Sequence, residues 1–354
     1  MSQATGQRKS YLDILRILAA FLVCYNHSHG FHLYLSQEAS GSVLSWINVF
    51  LPVLTTVNIP LFFMISGALL LDKEESYRVL FTRRILRFCL LIFFASLITC
   101  GILQGDTFSL SRFLPALLEG NVTISYWYLY AYLGFLAALP FLRKIAASLT
   151  GRDLCFLLVL RFVFVSVLMS LNLLLESLGR PALAISGYLQ FPFATFDILF
   201  YPLVGHCLSH LEPSQYGTRK HLAFYTAVLA AGCCLSAGMT YLEGLHSGFS
   251  QTYIGLFNYS SAMCVFLLVR FPAEKRTLPA PLRSFLRTAG SVTIGIYLME
   301  PVISHFFLEP FFRRASWDSV SITGLSILWC LFCMAAGGTA TWLLRKIPYV
   351  QKVL

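Results

Sequence analysis

Charge is what this chain has least of. Only 12% of its 354 residues are charged, against about 25% in a soluble domain. With 57% hydrophobic residues and a mean hydropathy of +0.71, it cannot cover a globular surface with ionised groups. A soluble protein is excluded. Long polar loops are lacking too: no stretch between apolar runs exceeds about 20 residues. That excludes an inserted soluble catalytic domain, so any chemistry must happen inside a helix bundle. No internal repeat or low-complexity tract occurs, which weighs against transporters built from duplicated halves. A cleavable signal peptide is not expected either. Arg8 and Lys9 precede an apolar run, but that run carries charges and no small-residue cleavage site follows. The ten cysteines do not read as a disulfide framework. Cys24, Cys89, Cys100, Cys233, Cys234 and Cys264 lie in apolar stretches as small buried hydrophobes. Cys330 and Cys333 have CxxC spacing but fall inside a continuous apolar span.

What is present is a series of helix-length apolar runs. They predict an all-α polytopic bundle of about ten spans, near 11–27, 47–71, 84–103, 125–142, 154–175, 191–210, 221–241, 252–271, 288–308 and 321–344. Pro181, Pro192 and Pro202 interrupt the fifth and sixth. The whole chain, 1–354, reads as a single transmembrane domain. Basic residues alternate between the loops. Twenty of the 26 lie in loops on one side, among them Lys9, Arg83, Arg84, Arg87, Arg143, Arg270 and Arg345. Arg112, Arg180, Arg313 and Arg314 lie on the other, while Arg16 and Arg161 fall within spans. The positive-inside rule then places both termini in the cytoplasm. The net charge of +10 is therefore mostly topology, and a nucleic-acid partner is not expected.

Ionisable groups inside spans are costly and are functional candidates. The first span carries Asp13, Arg16 and His27. At 100° per residue, the eleven steps from Arg16 to His27 leave an offset of about 20° and a rise of roughly 16 Å. Asp13 lies one turn before Arg16. A lone interfacial histidine is usually inert; one aligned with an acid and a guanidinium is a candidate general base near neutral pH. In the second span, Pro60 is expected to kink the helix, and Ser66-Gly67 to permit close helix approach. At the mouth of the third, Arg84 and Arg87 form an RxxR pair. Such a pair serves either as ordinary membrane anchoring or as a clamp for a pyrophosphate or 3′-phosphate, and coenzyme A carries both groups. Tyr126, Trp127 and Tyr128, followed by Tyr130 and Tyr132, form either an interfacial aromatic belt or a stacking platform for a sugar. Glu300 lies in an apolar span before Pro301, near His305, and needs a partner. Arg16 and His27 are the candidates. His206 and His210 have the i, i+4 spacing of metal ligands, but no third ligand is evident in the sequence and no metal is expected.

Taken in order, these segments resemble the acyltransferase-3 family of multispanning membrane O-acyltransferases, over nearly the whole chain. Asp13-x-x-Arg16 followed by His27 matches the family's first helix, and PLFFMISG (Pro60 to Gly67) its second. Arg84-x-x-Arg87 matches its RxxR element, Trp127 to Pro140 its fourth span, and IYLMEP (Ile296 to Pro301) a late span. The likeness is to members without an appended periplasmic domain. Tyr126 and Glu300 stand where family members often have histidine; the first bears on the acceptor site, and the second points to a subgroup with altered proton handling or acceptor choice. The resemblance implies an acyltransferase of the bacterial inner membrane with no permanently bound cofactor. It would move acetyl from acetyl-CoA to a hydroxyl of a cell-surface polysaccharide or its lipid-linked precursor. His27 would be the base, with Asp13, Arg16 and Glu300 around it. Arg84, Arg87 and Ser66 would hold the donor; Trp127, Tyr128 and Tyr126 would face the acceptor. Ser66 and Tyr128 are the candidate oxyanion donors. The competing class is an exporter of a polysaccharide unit, which would also bury charges but has no need to hold the RxxR pair together with the Asp–Arg–His stripe. A purely structural membrane subunit would not retain such charges at all.

Overall fold

Helices are the economical solution for backbone in lipid, because each satisfies its own polar groups. The computed structural model describes residues 9–32, 43–186, 188–189, 191–247, 255–313 and 318–353; Arg8 and Arg314 lie outside them. It is 84% helical, with no strand among the described residues. The helices that position the site are α1 (Ser10–Asn26), α2 (Val43–Thr55), α3 (Asn58–Leu70), α4 (Leu86–Gln104), α5 (Trp127–Ser148), α6 (Gly151–Arg161), α7 (Leu168–Ser177), α8 (Asp197–Ser209), α9 (Arg219–Ser247), α10 (Asn258–Lys275), α11 (Ala280–Phe312) and α12 (Ser319–Leu344).

Among the described residues, seven helical segments are long and apolar enough to cross a bilayer. The other three expected spans are present as α1, α8 and α10, and each differs for a reason. α1 has 17 residues and α8 has 13, while α10 ends in Arg270, Glu274 and Lys275. All three lie against other helices rather than lipid, so they are free to be short or charged. α1 is the hub, packed on α3, α10, α11 and α12. Around this core, large apolar side chains such as Phe94, Phe141, Phe156 and Leu328 point outward, as a lipid-facing surface requires. All ten cysteines are free, and Cys330 and Cys333 are buried.

Pro60 does not kink a continuous helix. The second span breaks between α2 and α3, and Pro60 falls in the first turn of α3, where its missing N–H has no partner to lose. At the break, the Thr55 and Thr56 hydroxyls donate to the carbonyls of Pro52 (2.8 Å) and Val53 (2.7 Å), recovering acceptors that the helix end exposes. The fifth span, by contrast, is uninterrupted: α6 runs into α7 through a wide turn, Phe162–Val167.

The tightest packing joins α3 to α8. Gly67 lies on the backbone of Pro202, and Gly205 on the backbone of Met64; a Cβ at either glycine would overlap the facing carbonyl. The Ser66-Gly67 expectation is thereby realised through a glycine on each helix. The buried Arg270 guanidinium donates to the carbonyls of Leu208 and, at 2.9 Å, Leu211. It thus caps the C-terminal end of α8, whose last carbonyls lack intrahelical donors.

Candidate active site

Helical geometry alone puts Asp13, Arg16 and His27 along one stripe of α1, and the packing of α11 determines what that stripe meets. Gly290 leaves the room that Asp13 occupies: a Cβ there would lie 2.8 Å from Asp13 Oδ1. Asp13 is buried and accepts from Arg16 Nη1 at 2.8 Å. At the other end of the stripe, His27 is the C-cap of α1, its N–H bonded to the Val23 carbonyl. The chain after it is pinned where Gly30 N–H donates to Ser326 Oγ on α12 at 3.0 Å.

His27 Nδ1 meets Glu300 Oε2 of α11 at 2.7 Å. The other Glu300 oxygen accepts from Ser304 Oγ at 2.5 Å. Of the two partners the sequence left open for Glu300, the fold selects His27. The arrangement has a chemical consequence. With Nδ1–H donating to the carboxylate, the neutral ring carries its lone pair on Nε2. A base oriented by a carboxylate, itself fixed by a hydroxyl, follows the logic of nucleophile activation. Ser304 carried no motif; its only signal is the i, i+4 spacing from Glu300.

A cavity of about 200 Å³ opens beside Arg16, lined also by Ser66, Arg84, Tyr128, Tyr132, Thr293 and Tyr297. A second, of about 210 Å³, is lined by Arg83, Arg84, Arg87 and Phe88. Arg84, Tyr132 and Ile294 border both, so the arginine cluster and Arg16 are joined by adjoining space. A wide helical turn, Phe81–Ile85, brings the three arginines onto one cavity. Arg345, just beyond α12, donates to Ser291 Oγ (3.0 Å) and to its carbonyl (2.7 Å). Burial and then the nearby Arg87 charge lower the Arg345 pKa. Three arginines lining one cavity are a setting for a polyanion.

The two members of the RxxR pair are not equivalent. Arg84 grips Glu75 with two nitrogens, Nε at 2.8 Å and Nη2 at 2.5 Å. Arg143 adds a third contact to Glu75 at 3.0 Å. The Arg84 hydrogen bonds, with help from Arg143, hold the Glu75 carboxyl down at about 2 from an ordinary 4.5. A depressed carboxylate contributes stability above its unfolded value and loses it as pH falls through the folded one. The expected result is a tie that is intact at every pH above about 5 and released only on acidification from 4.5 toward 2. The check is an acid titration of protein stability, with Glu75→Gln as the variant that should lack this transition.

The aromatic residues separate. Tyr126 is fully buried; its hydroxyl contacts Thr99 Oγ1 at 2.9 Å and donates to the Leu298 carbonyl at 2.8 Å, bracing α11 in the turn before Glu300. Trp127 is 52% exposed on the outside of the bundle. Only Tyr128 of the three lines the cavity, and no hydrogen bond engages its hydroxyl among the described residues. Ser66 also lines the cavity, but its proton is given to the Phe62 carbonyl at 2.8 Å. Tyr297, one turn before Glu300, and Tyr132, one turn after Tyr128, complete the wall; helical spacing was the available signal for both.

His206 lies in the last turn of α8 and His210 is its C-cap; Asp72, just past α3, comes beside them, and the three donor groups lie within 4.8 Å of one another.

A family model described as an acyltransferase domain matches residues 9–343, nearly the whole chain. No curated protein and no solved structure matches it.

Proposed function

The chain belongs to the acyltransferase-3 family and is an integral membrane acyltransferase; on that premise we propose that it transfers acetyl from acetyl-CoA to a hydroxyl of a cell-surface polysaccharide or its lipid-linked precursor, in a bacterial inner membrane. The observation that carries the reading is the His27–Glu300 contact of 2.7 Å, at the far end of α1 from the arginine-lined cavity. The phosphates of coenzyme A would meet Arg87 and its neighbours at the end that the loop charges assign to the cytoplasm. The thioester would enter past Arg84 and Tyr132 toward Arg16. The acceptor hydroxyl would approach His27 from the other side.

The transfer is direct. His27 Nε2 takes the hydroxyl proton as the oxygen attacks the thioester carbonyl. The tetrahedral oxyanion needs a donor, and the Tyr128 hydroxyl and Arg16 border the space through which the thioester travels. The carbon–sulfur bond then breaks, and the leaving thiolate recovers the proton from the His27 imidazolium. Glu300 stabilises that cation in the interval, and Asp13 holds Arg16 in place. The test is mass spectrometry of surface glycans from cells with and without the gene. A one-acetyl mass increment present only with the gene supports the reading; identical spectra overturn it.

The donor half is tested separately. Arg87→Ala is expected to weaken acetyl-CoA binding by about 1.5–3 kcal/mol, the worth of a charge-assisted hydrogen bond. That is roughly ten- to a hundredfold in Kd, a larger effect than the one on thermal stability. Arg84→Ala should weaken binding and also lower stability, because it strips Glu75 of its bidentate partner. Titration calorimetry with acetyl-CoA on both purified variants separates them. Unaltered binding in both would return the arginines to membrane anchoring.

A further inference from the structure

We propose that Asp72, His206 and His210 form a binding site for a divalent transition-metal cation of the zinc class. The site lies at the arginine-rich end of the bundle, apart from the His27–Glu300 pair, and does not depend on the acyl-transfer reading. His206 and His210 are one turn apart on α8, so both rings project to one side. Asp72 enters from the end of α3, and the glycine-mediated packing of α3 on α8 holds the two helix ends together.

His210 Nε2 lies 3.3 Å from Asp72 Oδ2, the separation of a coordination edge, while His206 Nε2 lies 2.8 Å from Asp72 Oδ1, a hydrogen bond that an entering cation would replace. Ligands about 2.1 Å from a tetrahedral zinc are roughly 3.4 Å from each other. The hydrogen bonding of His210 makes the case stronger. Its Nδ1 lies 2.9 Å from the His206 carbonyl, which only accepts, so the neutral ring carries its proton there. Its Nε2 lone pair then faces a carboxylate oxygen. Two acceptors in contact need a cation between them or a second proton on the ring. A histidine that donates one ring N–H to a backbone carbonyl while presenting the other nitrogen is also the usual second-shell arrangement of a metal ligand.

Three protein ligands leave a fourth position to water or an anion. Asp72 and His206 border a cavity of about 740 Å³ that also holds Glu75 and Arg143. Arg143 contacts Glu75 there, so its charge is partly offset. A bound cation would pin the ends of α3 and α8 beside the Glu75–Arg84 tie.

The experiment uses tag-free full-length protein in detergent, equilibrated with zinc chloride, freed of excess metal and assayed for bound zinc. Wild type should retain about one zinc per chain and melt at a higher temperature with the metal than without. Asp72→Asn and His210→Ala alter side chains that are 54% and 55% exposed, so the fold should persist while zinc retention and the thermal shift are lost. His206 is mostly buried and is left intact. Cobalt(II) added to wild type should give the visible absorption of a tetrahedral site, a readout that needs no variant. Equal zinc retention by wild type and the Asp72→Asn/His210→Ala double variant would overturn the site. So would a wild-type protein that takes up neither metal.

Discussion

His27→Ala is expected to abolish acyl transfer while the protein still inserts and accumulates. The loss follows from the position of the ring. His27 caps α1 and contributes little to the buried core, so truncating it leaves the packing of α1 against α3, α10, α11 and α12 in place. What disappears is the imidazole that Glu300 orients. A positioned general base is worth about 10²–10⁴ in rate, and loss of that order is the predicted effect. Glu300→Gln sharpens the test. The amide keeps the shape and can still accept from Nδ1–H, but it no longer neutralises the imidazolium. Transfer should slow and its pH dependence should change, because the imidazolium formed in the step has lost its counter-ion. Glu300→His should retain part of the activity if the position needs only a polar partner for His27. Glycan acetylation near wild type for His27→Ala at equal protein level would remove the residue from the chemistry. A Glu300→Gln pH–rate profile superimposable on wild type in height and midpoint would do the same for Glu300.

The second large effect is on folding. Gly67→Val and Gly205→Val should each prevent assembly of the native bundle. Ordinary overpacking costs about 1–3 kcal/mol, because neighbouring side chains can yield. Here the obstacle is backbone: the carbonyl of Pro202 faces Gly67, and that of Met64 faces Gly205. Relief requires the two helices to separate, and that would break up the core around Phe63, Leu203 and Val204 and strand the Arg270 cap on the end of α8. Gly101 and Gly238, where a Cβ meets nothing within 4 Å, supply the controls. Alanine there should leave yield and melting temperature unchanged. Monodisperse Gly67→Val protein with a wild-type melting temperature would show that the helices approach less closely than described.

Much of this molecule was legible in its sequence. Apolar run length determined an all-helical membrane bundle, and helical periodicity aligned Asp13, Arg16 and His27, because both depend only on local geometry. The ordered motifs carried the family. Ser66-Gly67 announced a close helix contact but not its partner. Contacts between elements distant in the chain were a different matter. Glu300 could have met Arg16 or His27; the packing of α11 on α1 chose His27. Arg84 and Arg87 read as an equal pair until Glu75 closed on Arg84. Tyr126, Trp127 and Tyr128 are consecutive, yet one braces a helix, one faces outward and one lines the cavity, since successive residues on a helix point about 100° apart. His206 and His210 were a spaced pair alone until α3 ended beside them with Asp72. In each case the sequence determined which chemistry was possible along one helix. Which groups came within reach depended on how helices stack, and that is set by side-chain packing across the whole core rather than by spacing along any single segment.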